Sequence, residues 1–156
     1  MTDIDLLFEA IRTRDQNQLE TVISNNPKLV DAKDPRGFTP LIFATYFDNE
    51  EASKLLIDNN ANIDTKDNSG NTALIGVCFK GNEKLAKRLI DNGSNINAQN
   101  NMGTTPLIFA TMYNKESIIK LLLDKDANKA IKDNNGKTAY MHALEKGFNN
   151  LFALLK

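Results

Sequence analysis

Thr39-Pro40-Leu41-Ile42-Phe43-Ala44-Thr45 occurs a second time, letter for letter, at residues 105–111. The two copies lie 66 residues apart, twice 33, and looser versions stand at the other steps of 33: Thr72-Ala73-Leu74-Ile75 and Thr138-Ala139-Tyr140-Met141. A fixed period of this length marks a solenoid of stacked supersecondary units rather than one closed core. Working outward, units begin at Asp34, Asp67, Asn100 and Asp133 with no gap. The second unit resembles the fourth and the third resembles the fifth, as a duplicated pair would. Leu7, Ala10, Val22 and Ile23 stand 34 residues before Leu41, Ala44, Leu56 and Ile57, so the N-terminal stretch reads as a first unit with one extra residue near Asn25-Asn26-Pro27. The expected organisation is one domain over 1–156, divided into 1–33 (N-terminal cap), 34–66, 67–99, 100–132 and 133–156 (C-terminal cap).

Each later unit opens on Asp-Pro-Arg-Gly (34–37), Asp-Asn-Ser-Gly (67–70), Asn-Asn-Met-Gly (100–103) or Asp-Asn-Asn-Gly (133–136). Asp or Asn first and Gly fourth is type I turn chemistry, the glycine also tolerating positive φ. Thr39, Thr72, Thr105 and Thr138 follow as N-caps, with Pro40 and Pro106 at the first helical position, where no N–H is needed. A short first helix is predicted near 40–47, with small Ala44, Ala110 and Ala143 where helices approach, Val77 being the exception. Second helices are predicted near 50–59, 83–92 and 116–125. Glu50, Glu83 and Glu116 suit their N-termini, Leu56-Ile57, Leu89-Ile90 and Leu122-Leu123 form the buried stripe with Ala52, Leu85 and Ile118, and Asn60, Gly93 and Asp126 suit left-handed C-caps. A hairpin this short cannot bury its own apolar face, so neighbours must stack. Arg12, Arg14, Asp15, Gln16 and Gln18 make the first unit polar enough to cover one end. Leu151, Phe152, Leu154 and Leu155 leave the other end apolar, which either folds back or marks a dimer contact.

Composition narrows the function classes. Nineteen basic against twenty acidic residues give a formal charge of -1, which supplies no basic face for nucleic acid or for an anionic membrane. The acidic start Met1-Thr2-Asp3-Ile4-Asp5 is unlike a signal peptide, and no run reaches the ~18 apolar residues of a membrane helix. Cys78 is the only cysteine, so no internal disulfide is possible and a cytoplasmic setting is expected.

The period of 33, the D-x-x-G turns, the T-P-L helix starts and the closing Asn95-Ile96-Asn97-Ala98 together resemble the ankyrin-repeat family over the whole chain. The resemblance implies an all-α, slightly curved solenoid of helix-turn-helix units with hairpin-like turns, and a role in binding another protein. Two departures stand out. The family often has histidine after T-P-L, whereas Ile42, Ile75, Ile108 and Met141 stand here, so its imidazole network is expected to be absent. Lys129 replaces the usual buried Val or Ile (compare Ile63 and Ile96), which is expected to loosen the junction between the last two units.

The resemblance further implies a partner on the concave face, formed by turn tips and exposed positions of the first helices. Carried over by register, the candidate partner-binding residues are Arg36, Phe38, Tyr46, Phe47, Phe79, Lys80, Met102, Met112 and Tyr113. Contiguous exposed aromatic and methionine side chains are costly in water and typical of binding hot spots. With Arg36, Lys80, Lys137 and Lys146 set against Glu145 on the rim, the partner is expected to carry apolar anchors flanked by acidic groups. The competing reading is that the same rings pack against the next repeat and only stabilise the stack.

Catalytic chemistry is not expected. His142, the only histidine, aligns with the packing positions Phe43, Gly76 and Phe109 and reads as structural. Cys78 reads as a small buried residue, and no Cys/His spacing supports zinc. Asp34, Asp67 and Asp133 recur once per unit instead of clustering as calcium ligands do. No phosphate loop is present, so neither metal nor cofactor is expected. The twenty-one asparagines fit turns, or a codon bias. The leading expectation is a non-catalytic, monomeric protein-binding module. Its alternatives are an inhibitor or immunity-type protein that blocks a toxin or enzyme, and a self-assembling structural protein.

Overall fold

The computed structural model describes residues 1–156 and contains ten α-helices and no strand. They pair in order: α1 (Asp3–Thr13) with α2 (Gln16–Asn25), α3 (Pro40–Tyr46) with α4 (Glu50–Asp58), α5 (Ala73–Lys80) with α6 (Glu83–Asp91), α7 (Pro106–Met112) with α8 (Glu116–Asp124), and α9 (Ala139–Lys146) with the single-turn α10 (Phe152–Leu155). Every substantial helix–helix contact lies within a pair or between consecutive pairs, α1 on α3, α3 on α5, α5 on α7 and α7 on α9. The core is therefore a continuous strip along the stack, and the chain is an all-α solenoid.

The predicted local signals act as read. Thr39, Thr72, Thr105 and Thr138 accept the N–H of Ile42, Ile75, Ile108 and Met141 at 3.1–3.3 Å. Ala44, Val77, Ala110 and Ala143 are fully buried on the first helices, and Leu56, Leu89 and Leu122 on the second. Asn60, Gly93 and Asp126 end the second helices with φ of 66°, 96° and 66°. The second-helix N-caps escaped the sequence reading: Asn49 and Asn82 accept the N–H of Ala52 and Leu85, while Lys115 in the same place makes no side-chain cap.

Turn tips are laced to one another by asparagine. The N–H of Asn68, Asn101 and Asn134 donates to the carbonyl of Arg36, Ser69 and Met102, and their side-chain amides donate to Pro35, Asn68 and Asn101. Part of the asparagine content thus has a structural cause. Gly37 at φ 77° lies so close to this lacing that a Cβ there would stand 2.5 Å from Asn68 Oδ1.

At its two ends the stack departs from the regular repeat. The extra residue of the first unit is absorbed by a 3₁₀ turn at Pro27–Asp31, which replaces the turn used elsewhere. Arg14 and Gln16 reach across to the carbonyls of Phe47 and Glu51, tying the first pair to the second instead of shielding the free end. At the other end the apolar residues fold back. Leu151 and Leu155 are buried, Phe152 is half-buried and meets Tyr140 edge-on at 6.1 Å. Lys129 stays exposed, and its ammonium donates to the carbonyl of Lys156 at 3.2 Å.

Candidate functional site

The first helices α3, α5 and α7 run side by side, and the last turns of α3 and α5 and the C-cap of α7 carry Tyr46, Phe79 and Tyr113 to one surface. Helix ends favour this exposure because the left-handed residues Asp48, Gly81 and Asn114 turn the chain sharply into the second helix. Tyr46, Phe47, Phe79 and Tyr113 expose 39–46% of their surface, far more than the buried Ile42, Phe43 and Ile75 one turn before the first three.

The rings form two groups. In one, Phe38 lies 6.2 Å from Tyr46, Tyr46 5.2 Å from Phe47, and Phe47 4.7 Å from Phe43. In the other, Phe79 meets Tyr113 edge-on at 4.7 Å, and Phe109 lies 6.1 Å from Phe79 and 5.4 Å from Tyr113. Between the groups is a cleft of about 270 Å³, walled by Phe38, Tyr46, Phe79, Phe109 and Tyr113. Its floor includes Ile42, Thr45, Asp67, Asn71, Thr72 and Gly76.

The structure brings four of the nine sequence-derived candidates, Phe38, Tyr46, Phe79 and Tyr113, into this cleft. Arg36 and Lys80 stand beside it, the guanidinium 4.2 Å over the Phe38 ring and the ammonium 5.1 Å from the Tyr46 ring. Phe47 belongs to the first ring group but not to the lining, and neither Met102, widely exposed, nor half-buried Met112 reaches it. Phe109, Gly76 and Asp67 were not candidates. The signal was present: Gly76 occupies the position that is Phe43 and Phe109 in the flanking units, so the cleft exists where one ring is missing from a row.

The rim charges are less free than the sequence implies. Arg36 pairs with Asp34 at 2.6 Å, Lys137 with Glu145 at 2.8 Å, and Lys80 approaches Asp48 at 4.0 Å. These internal partners remove much of the basis for expecting acidic flanks on a bound segment.

The remaining chemistry is structural. His142 Nε2 lies 2.7 Å from Asp133 Oδ2, and both side chains are nearly buried. An imidazole–turn contact, expected to be absent from its usual place, is thus rebuilt once from the next position along the helix. Burial tends to raise the Asp133 carboxyl, but hydrogen bonds from His142 and from the backbone of Lys137 and Asn135 outweigh it and hold the group below its ordinary range. Burial pushes the Cys78 thiol up, which disfavours the reactive thiolate. No three His, Cys, Asp or Glu side chains converge in a way that could hold a metal ion. No helix is long and apolar enough to cross a membrane.

Residues 7–100 and 75–156 match a family model described as ankyrin repeats (3 copies), the two matches overlapping and together leaving out only the first six residues. No curated protein matches the chain.

Proposed function

Because the chain belongs to the ankyrin-repeat family, whose repeats are in general protein–protein interaction modules, we propose that it is a non-catalytic, cytoplasmic binding module. Residues 1–156 act as one domain with unit boundaries at 34, 67, 100 and 133, and hold a partner protein on the concave face. The observation that carries this is the exposure of Tyr46, Phe79 and Tyr113 around a single cleft between three consecutive first helices. Rings that only stabilised the stack would be expected to be buried as Leu74 and Leu107 are, whereas Phe79 and Tyr113 stay widely exposed even though they meet edge-on. The formal charge of -1 and the internally paired rim cations favour a protein over nucleic acid as the partner.

The test is the combined variant Tyr46→Ala/Phe79→Ala/Tyr113→Ala, used with wild type as bait in parallel affinity captures from the source cells. Proteins held by wild type and lost with the variant, while the far-UV helical signal is unchanged, are the expected result. An identical set of captured proteins at equal yield would refute the assignment of this face.

A further inference from the structure

Asp34, Asp67 and Asp133 occupy equivalent places in three turns and use one carboxylate oxygen alike. Oδ1 accepts two backbone N–H groups in each: those of Arg36 and Phe38, of Ser69 and Asn71, and of Asn135 and Lys137. The other oxygen distinguishes them. Asp34 Oδ2 takes Nε and Nη2 of Arg36 at 2.9 and 2.6 Å, and that guanidinium lies over Phe38. Asp133 Oδ2 takes Nε2 of His142 at 2.7 Å. At Asp67 both donors are missing, because Ser69 stands in the place of Arg36 and Gly76 in the place of His142. The only hydrogen bonds to the Asp67 carboxylate end on Oδ1.

The same glycine that removes the donor opens the cleft. Nothing lies within 4 Å of where a Cβ on Gly76 would stand, and Asp67 and Gly76 line the cleft together with five aromatic rings. A carboxylate with a free oxygen, set beside aromatic rings of which Tyr46, Phe79 and Tyr113 are exposed, calls for a group that is both cationic and able to stack.

We propose that this cleft receives an arginine side chain of the partner protein, its guanidinium donating to Asp67 Oδ2 and stacking on the surrounding rings. The proposal rests on the partner-binding role of this face. Arginine fits better than lysine because a planar guanidinium stacks and donates from one edge at once, which a strongly hydrated ammonium does not. The chain supplies its own precedent in Arg36, Asp34 and Phe38 one unit earlier. At about 270 Å³ the cleft lies just below the ~300–1,000 Å³ of small-molecule sites, a size suited to one inserted side chain. Arg36 and Lys80 leave the negative charge uncancelled, since neither lines the cleft and each faces another carboxylate.

The test is an NMR titration of the full chain with N-acetyl-arginine-N-methylamide, with the lysine and leucine analogues as comparisons. Saturable shifts at amides 67–79 are expected, with a dissociation constant of about 1–30 mM and binding at least roughly tenfold tighter than for lysine. Two variants should abolish them. Asp67→Asn keeps the turn, because Asn100 Oδ1 accepts the N–H of Met102 and Thr104 in the same way one unit later. Gly76→His should rebuild the contact seen between His142 and Asp133 and close the cleft from within. No saturable shift below about 50 mM, equal affinity for the leucine analogue, or unchanged binding to Asp67→Asn would each overturn the proposal. The partner captures separate this from the face itself. If the triple alanine variant loses a partner that Asp67→Asn and Gly76→His retain, the arginine socket falls and the face stands; if all three retain it, both fall.

Discussion

Asn49 joins two units with one side chain: its Nδ2 donates to the carbonyl of Ile11 at 2.9 Å, while its Oδ1 caps α4 through the N–H of Ala52 at 3.0 Å. The side chain is almost fully buried, so deleting it leaves the Ile11 carbonyl with only the 3.3 Å contact from the Arg14 N–H and uncaps a helix N-terminus. Asn49→Ala should lower unfolding stability by about 2–3 kcal/mol, the sum of a lost cap and a lost buried hydrogen bond between units. Asn82→Ala should cost only about 1 kcal/mol, because Asn82 caps α6 but its amide reaches an exposed partner, Asp48. Urea unfolding of both variants checks the order.

Turn glycines should separate in the same way. Gly103 combines a φ of 75° with a close approach, a Cβ there standing 2.5 Å from Asn134 Oδ1 and 2.7 Å from Asn134 N. Gly136 has φ 76° with nothing within 4 Å. Gly136→Ala should therefore cost about 1 kcal/mol from backbone strain alone, and Gly103→Ala about 2–4 kcal/mol because the asparagine lacing must also shift. Equal thermal midpoints for the two variants would show that the lacing yields freely.

Acid should weaken the last unit through Asp133. Its ordinary pKa is 3.8 and its folded value lies lower, so the unfolded chain binds the extra proton as pH falls. The stabilisation is present above 3.8 and is lost as pH drops through the folded value. Asp133→Asn should flatten this part of the acid limb in unfolding experiments at pH 2–5. His142→Ala should cost about 1–3 kcal/mol at neutral pH through the lost hydrogen bond.

The folded-back C-terminal residues are the ground on which we propose a monomer. Leu151 and Leu155 are buried against the stack, leaving little apolar surface from them to pair with a second copy. Light scattering of the purified chain should return 17.4 kDa, and twice that mass would contradict the expectation.

Most of the fold was legible because repetition turns one chain into several readings of the same unit. Thr39, Thr72, Thr105 and Thr138 confirm one another as caps, and the helix predicted near 40–47 and the second helices predicted near 50–59, 83–92 and 116–125 all end within a residue of the predicted ends. The N-caps Asn49 and Asn82 were missed because Lys115 breaks the pattern in the next unit, and because asparagine in a turn signals left-handed geometry as readily as capping. The exposed rings were legible by register, whereas the cleft between them was not. It depends on an absence, the missing ring at Gly76, and on Asp67, whose role in the turn conceals a second free oxygen. Charge pairing was hidden for a related reason: a sequence counts Arg36 and Lys137 as cations without showing that Asp34 and Glu145 lie within ion-pair distance of them.

Hydrogen exchange with and without a bound partner tests the central claim most directly. Protection should appear on the first helices, Pro40–Tyr46, Ala73–Lys80 and Pro106–Met112, and on the turn tips before them. Protection confined instead to the second helices, Glu50–Asp58, Glu83–Asp91 and Glu116–Asp124, would place the partner on the opposite face and contradict it.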